Sequence, residues 1–198
     1  MAIQDRPITT PIQRTSLNLA AKRVAAKLSV FVAGPFIDKT WTDAELSEQS
    51  AATRLRLAIK TIVEEKFQHQ AVFGEHRGVN EMAEEHFGSQ TSAAIAEIAM
   101  LGDCDAVIII PASVGSFCEL GAWSTREDFC RKLLVIANEK YRKDQSYINL
   151  GTFRMAVNNG ASIAWCDLEN EGEVIGHVEA FVRRAHDKVM MRLVNNGR

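Results

Sequence analysis

Residues 105–123 read D-A-V-I-I-I-P-A-S-V-G-S-F-C-E-L-G-A-W, and this stretch decides the fold class of the chain. It opens with a short apolar run, residues 106–110, that is rich in β-branched side chains. Such a run, bounded by an aspartate and a proline, is typical of a strand buried on both faces of a parallel sheet. Pro111 ends the predicted strand, because proline cannot donate a ladder hydrogen bond.

The second half of the stretch predicts a loop followed by a helix. Ser113, Gly115 and Ser116 are turn formers, and the apolar spacing after them predicts a helix over residues 119–130. A strand, a glycine-containing loop and a helix N-terminus together form a common anion-binding layout. Glu119 is a lone carboxylate at the predicted start of this helix, and we expect the chemistry there.

The composition is that of a globular protein with one core. The chain has 198 residues, enough for a single domain, and 46% of them are hydrophobic against 24% charged. The formal net charge is −2, so the chain has no excess of basic over acidic residues. We therefore expect no extended nucleic-acid surface.

The cysteines and the apolar runs bear on the compartment. The four cysteines show no C-x-x-C spacing, and three lie beside apolar segments, which favours reduced, buried thiols. No apolar run approaches the roughly 20 residues that a membrane-spanning helix needs. The first residues lack the apolar core of a signal peptide. These features together predict a cytoplasmic protein without a membrane partner.

Five short apolar segments predict the strands of one sheet, and helical periodicity fills the gaps between them. The strands are expected at residues 28–33, 71–73, 106–110, 133–137 and 162–166. One long helix, capped by Thr42 or Asp43, is expected to reach residue 67, and further helices at 91–101, 119–130, 151–158 and 174–194. Strands that alternate with helices predict a three-layer α/β domain with a parallel sheet.

The expected domain organisation is simple. Residues 1–27 form an N-terminal arm with a short helix, and residues 28–198 form one flavodoxin- or Rossmann-like domain. Right-handed crossovers favour the strand order 2-1-3-4-5. The first and third strands are then neighbours, and a crevice opens at their carboxyl ends. This order predicts that Gly34, Pro35 and Phe36 meet residues 113–119.

At this point the sequence resembles the nucleoside 2-deoxyribosyltransferase superfamily. The resemblance is carried by V-F-V-A-G-P-F, a helix with Arg54 and Arg56, F-G-E-H, E-I-A-M-L-G-D-C-D-A-V, S-V-G-S-F-C-E-L-G-A, L-L-V-I and Y-I-N-L, in this order. It covers roughly residues 28–166. It implies the same α/β fold and an enzyme that acts on N-glycosidic bonds.

The resemblance implies roles for three residues. The glutamate of E-L-G is the family's nucleophile, which attacks the anomeric carbon, and Glu119 matches it. Glu97, eight positions before Asp105, matches an acidic residue that contacts the base or ribose, although the family usually has aspartate there. Asn149 of I-N-L matches an asparagine that a neighbouring subunit lends to the site. The resemblance therefore implies a homodimer or a larger homo-oligomer.

One departure separates two branches of this superfamily. The transferases carry aspartate six residues before the nucleophile, where this chain has Ser113. The branch that hydrolyses nucleoside 5′-monophosphates has a phosphate-binding serine in P-S-x-G-x-x-x-E-L-G, and this chain reads P-A-S-V-G-S-F-C-E-L-G, one residue longer. Glu75 and His76 match that branch's E-H pair. A hydroxyl and backbone N–H groups suit a phosphate, which an aspartate would repel.

A second resemblance is to deoxyribosyltransferase-like toxins of bacterial retrons, which carry an S-x-G-S-F-x-E-L-G-type loop. It implies cleavage of nucleotides such as NAD in antiviral defence. The expected function is thus hydrolysis of the base–sugar bond of a 5′-phosphorylated nucleotide, a nucleoside monophosphate or NAD. Two alternatives stay open: a 2-deoxyribosyltransferase that moves deoxyribose between bases, and a nucleotide-sensing module without turnover.

Each predicted site residue also has a structural interpretation. Glu119 is favourable near any helix N-terminus, and Glu97 suits a solvated helix face. His76 suits a surface loop, and Gly34-Pro35 is ordinary turn chemistry. Cys118 beside Glu119 is expected to be a packed thiol, because no Cys-His pair accompanies it. The histidines lack metal-ligand spacing, so no metal and no cofactor are expected.

Overall fold

The computed structural model describes residues 26–38, 40–74 and 92–196, and the fold is given for these residues. Five strands form one parallel sheet in the order β2-β1-β3-β4-β5. The strands are β1 Ser29–Ala33, β2 Gln70–Val72, β3 Ala106–Ile109, β4 Leu133–Asn138 and β5 Ser162–Cys166. The predicted fold class and strand order are confirmed. The predicted arm, residues 1–27, lies almost wholly outside the described residues, so the domain division stays a prediction.

Helices cover both faces of the sheet. They are α1 Asp43–Ser47, α2 Ala51–Thr61, α3 Ala93–Asp103, α4 Val114–Trp123, α5 Glu127–Cys130, α6 Arg154–Asn158 and α7 Glu171–Asn196. A π-helical turn, Ile62–Lys66, extends α2, and another, Ile148–Phe153, leads into α6. None of the helices in the described ranges is long and apolar enough to span a bilayer.

The core has two parts because the central strands are buried on both faces. All four residues of β3 are buried, which is why the sequence shows a continuous apolar run there. On one face, Val30 and Ile108 pack with α2 and α7. On the other face, Phe31 and Ile109 pack with Leu120 and other residues of α4 to α6. The sheet is thereby fixed between two helical layers.

Two predicted helices are wrong in extent. The long helix expected from Thr42 or Asp43 is two helices, because Thr42 caps α1 and Ser50 begins α2 as a second N-cap, its hydroxyl accepting from the Thr53 N–H. The helix expected over residues 119–130 is also two helices, because α4 begins at Val114 and ends at Trp123 and α5 covers Glu127–Cys130. The apolar spacing changes little through these regions, and the capping hydroxyls of Ser50 and Ser113 mark the starts of α2 and α4.

The topology brings two distant segments together. In the parallel register of β1 and β3, Ala33 pairs with Ile109. The chain leaves β1 through Gly34 and leaves β3 towards α4, so both connections lie at the same edge of the sheet. Ligands in open α/β sheets bind at such a switch point.

Candidate active-site cleft

A cleft of about 350 Å³ opens at the carboxyl ends of β1 and β3. Its walls come from β1, the segment after it, α2, the segment after β2, α3 and the first turns of α4. The lining residues are Phe31, Ala33, Gly34, Phe36, Arg56, Gly74, Glu97, Ser113, Gly115, Ser116 and Glu119. Residues that are far apart in sequence thus share one small cavity.

The cleft gathers most of the residues that the sequence singled out. Seven of them line it: Gly34, Phe36, Glu97, Ser113, Gly115, Ser116 and Glu119. Pro35 is buried beside it without lining it, and Asn149 is not among its lining residues. Glu75 and His76 lie outside the described residues. The roles assigned to all these residues stay predictions.

The N-terminus of α4 differs from the predicted loop. Ser113 is the N-cap: its Oγ accepts from the Ser116 N–H at 3.2 Å. The buried Ser116 hydroxyl accepts from the N–H groups of Ala112 (3.1 Å) and Ser113 (2.9 Å) and donates to the Ser113 carbonyl (2.9 Å). Both hydroxyls therefore hold the helix start in place. Val114 and Gly115 contribute two of the first-turn amides that have no acceptor within their own helix.

Glu119 lies in the second turn of α4 and not at the helix start. It lies five positions after Val114, a rise of about 7.5 Å along the helix axis. Residues three and four apart share a helix face, and Ser116, Gly115 and Glu119 accordingly all line the cleft. Glu119 as a whole residue is half-buried. The cleft thus presents a helix N-terminus and, further along the same helix, a carboxylate.

Two glycines make room at the walls. At Gly74 an added Cβ would lie 2.8 Å from Glu97 Oε1, so the carboxylate of Glu97 occupies the space that a side chain there would fill. Gly34 has φ +153°, and a Cβ there would lie 3.2 Å from the Arg56 Cδ and 3.3 Å from the Ile110 carbonyl oxygen. Only glycine fits both the backbone conformation and the space.

Arg56 holds the segment after β1. This side chain is buried, and its Nε and Nη2 donate to the Val32 carbonyl at 3.0 and 2.9 Å. Nη1 donates to the carbonyls of Pro35 (2.8 Å) and Gly34 (3.4 Å). The guanidinium also lies over the Phe73 ring, 4.6 Å from its centre. The strand pairing of β1 with β2 ends at Phe31. The Val32 carbonyl beyond that point accepts hydrogen bonds from Arg56.

Replacing Arg56 with methionine should destabilise the protein strongly. Three carbonyls would lose a charged donor in a buried place, and each unsatisfied group costs about 1–3 kcal/mol. We expect the free energy of unfolding to fall by roughly 3 kcal/mol in urea titrations. Arg54→Met is the matched control on the same helix, since Arg54 is part-exposed and pairs with Glu169 at 3.1 Å. Its loss should cost below about 1 kcal/mol. Equal effects of the two variants would contradict this role.

Two apolar side chains stand exposed near the mouth of the cleft. Phe36 is 63% exposed and lines the cleft, and Val114, the first residue of α4, is 83% exposed. An exposed aromatic ring at a site rim is suited to stacking on a planar ligand. This agrees with the expected place of Phe36 among the substrate-binding residues, which stays a prediction.

Asn149 lies away from the cleft of its own chain. It is in the π-helical turn before α6, and its Nδ2 donates to the carbonyls of Tyr141 (2.6 Å) and Asp144 (2.9 Å). These bonds fix the loop between β4 and α6. The expected contribution to a partner's site stays a prediction.

Sequence reasoning missed Arg56 and Gly74 as parts of the cleft. Arg56 was noticed only as part of a family resemblance. Its signal was the run L-R-L-A-I, in which a charged residue interrupts an apolar helix face. Gly74 carries no sequence signal of its own, because its meaning depends on where Glu97 comes to lie.

Comparison with known proteins places the chain in a family. One relative is the Escherichia coli retron Ec86 ribosyltransferase/DNA-binding protein, whose name gives the ribosyltransferase and DNA-binding assignment provisionally. It is 41% identical to this chain over 63 residues. The match covers 31% of this chain and 20% of the relative, so the chain spans about a fifth of the length of the curated relative that it matches. A protein family described as STM3845 retron effector protein matches residues 52–197 of this chain. The chain therefore belongs to the STM3845 family of retron effector proteins.

Proposed function

We propose that the chain is an N-glycosidase that hydrolyses the base–sugar bond of a 5′-phosphorylated nucleotide, a nucleoside monophosphate or NAD, as a defence effector. The observation that carries this proposal is the convergence of Glu119, Glu97 and the N-terminus of α4 in one cleft. Glu119 supplies the nucleophile, and Glu97 supplies a polar contact to the sugar or the base. The N-terminus of α4 provides the binding site for the phosphate.

The proposed reaction has two steps at the anomeric carbon. The Glu119 carboxylate attacks C1′, and the base leaves with the electron pair of the broken C–N bond. Water then attacks C1′ and breaks the glycosyl ester, which restores the carboxylate. Overall, one water is consumed and its hydroxyl joins C1′ of the sugar. Its proton ends on the base of a nucleoside monophosphate, whereas with NAD the nicotinamide leaves neutral and the proton passes to the solvent. A carboxylate suits both the oxocarbenium-like transition state and the covalent intermediate.

Phosphate binding would use the first turn of α4. First-turn N–H groups and the positive end of the helix dipole favour an anion. A Cβ added at Gly115 would meet nothing within 4 Å from the other described parts of the chain, so the approach to these groups is open. A phosphate held at this end fixes the sugar while Glu119, one and a half turns further on, meets C1′. Remote binding energy is thereby used for orientation.

The comparisons support the general class. The name of the Escherichia coli relative describes a ribosyltransferase, an enzyme of glycosyl bonds, and the family description names a retron effector. Retron effectors act in defence, and removing the base from a nucleotide is a reaction that suits a toxin. The relative's name also mentions DNA binding, but the net charge of −2 gives no reason to extend this to the chain.

A substrate panel tests the proposal. The purified protein is incubated with nucleosides, their 5′-monophosphates and NAD, and free base is measured by chromatography. We expect base from the phosphorylated compounds and far less from free nucleosides. A parallel arm adds a second free base as acceptor, because the relative's name favours transfer as the second candidate. A new nucleoside in that arm would establish the transferase, and tight nucleotide binding without any base release would establish the sensing module.

The partner-lent Asn149 predicts an oligomer with shared sites. Light scattering at micromolar concentration should show a dimer or larger species. Glu119→Gln and Asn149→Ala should each be inactive alone, whereas a mixture that has exchanged subunits should regain activity, since some sites then combine both intact residues. A monomer, or a mixture that stays inactive, would remove the shared site and leave Asn149 as the residue that fixes the 141–149 loop.

A further inference from the structure

Cys166, Glu173 and His177 come together where β5 meets α7. Cys166 is the last residue of β5, and the other two lie in the first two turns of α7. Their sulfur, oxygen and nitrogen atoms all lie within 4.8 Å of one another. Among the described residues, this is the one group of three with such geometry. The cleft lies elsewhere, at β1 and β3, so this group is independent of the proposed glycosidase.

Rigid elements hold the three side chains. The Asn170 side chain accepts from the Glu173 N–H at 3.3 Å and starts α7. Val174 and Val178 of the same helix are fully buried in the core cluster that also contains Cys166. Glu173 and His177 are four residues apart and therefore share one helix face. The three donors are thus positioned by backbone packing and not by flexible loops.

The charge and chemistry of the group suit a cation. Glu173 places a carboxylate oxygen within 4.8 Å of the Cys166 sulfur and of an imidazole nitrogen of His177, so a negative charge lies beside the other two ligand atoms. A thiolate, an imidazole and a carboxylate are the donor types that Zn²⁺ takes in tetrahedral sites. We propose that Cys166, Glu173 and His177 bind Zn²⁺ with three protein ligands and a fourth position open to water.

Such a site would tie the end of the edge strand β5 to the long helix α7. A metal that binds the folded chain and not the unfolded one raises stability by mass action. We therefore expect the Tm of chelator-treated protein to rise with zinc concentration. This effect is independent of substrate, so it is readable whether or not the cleft is catalytic.

Metal titration with matched variants tests the site. Chelator-treated full-length protein is titrated with Zn²⁺ by calorimetry, and with Co²⁺ by absorption, where a thiolate-to-cobalt charge-transfer band reports a sulfur ligand. His177→Ala and Glu173→Gln change exposed side chains and should fold normally. Cys118→Ser, which removes an exposed thiol elsewhere, is the control.

The expected result is one zinc per chain and a cobalt–thiolate band in the unaltered protein and in Cys118→Ser. His177→Ala should weaken zinc binding by more than the about 10–100-fold that loss of an outer-shell partner costs. Cys166→Ser should abolish the charge-transfer band, and both variants should lose the zinc-dependent rise in Tm. Binding unchanged in His177→Ala, a band that survives Cys166→Ser, or no binding at all would overturn the proposal.

Discussion

Glu119→Gln should remove base release while the protein stays folded. Glutamine keeps the size and nearly the helix propensity of glutamate, so α4 should form as before. It cannot form a glycosyl ester by displacement of the base, because the amide is a far poorer nucleophile. Loss of the nucleophile should raise the barrier by about 4 kcal/mol or more, which is at least roughly a thousandfold in kcat/KM.

Chromatography of free base measures this effect, with circular dichroism and Tm as checks on the fold. Cys118→Ser is the control and should keep full activity. Cys118 precedes Glu119 in α4 and is exposed, so the packed thiol expected from the sequence is wrong. Intact-protein mass spectrometry after rapid quenching should show the sugar-phosphate adduct on the unaltered protein and not on Glu119→Gln. Near-normal turnover in Glu119→Gln, or inactivity of Cys118→Ser, would show that the nucleophile is another group.

Substitutions at Ser113 should separate stability from phosphate recognition. The structure makes Ser113 an N-cap, and Ser→Ala at such a position costs about 1 kcal/mol of stability. Aspartate caps as well as serine, so Ser113→Asp should keep the stability that Ser113→Ala loses. For a phosphorylated substrate the order should reverse: Ser113→Asp should be worse than Ser113→Ala, because it brings a carboxylate against a phosphate.

The size of the effect follows from hydrogen bonds to charged groups. Ser113→Ala should weaken nucleotide cleavage by about 1.5–3 kcal/mol, roughly 10- to 150-fold in kcat/KM, and barely change any activity on free nucleosides. Ser113→Thr keeps the hydroxyl and should keep both properties. Unfolding titrations and kinetics on a nucleoside and its monophosphate measure the two properties. If Ser113→Asp cleaves nucleotides as well as the unaltered protein does, no phosphate binds at this helix end.

Local patterns determined much of the fold. The β-branched run at 106–110 predicted β3 because a strand buried on both faces has to be apolar throughout, and the other strands were predicted to within one or two residues. The order 2-1-3-4-5 followed from the right-handed crossover rule. Helix starts were predicted less well. A serine N-cap inside a nearly continuous apolar pattern competes with periodicity, and at Ser50 and Ser113 the cap decided.

The sequence by itself also determined which segments meet at the cleft, since strand order places the ends of β1 and β3 side by side. It singled out Glu119, Glu97 and Ser113, whose roles still await experiment. Only the tertiary structure decided that Arg56 holds the segment after β1 by hydrogen bonds and that Gly74 leaves space for the Glu97 side chain. It also decided that Cys166 lies close to Glu173 and His177. Periodicity records how each residue relates to its own helix or strand. Contacts between different elements depend on how these pack, and a single sequence carries no local signal for that.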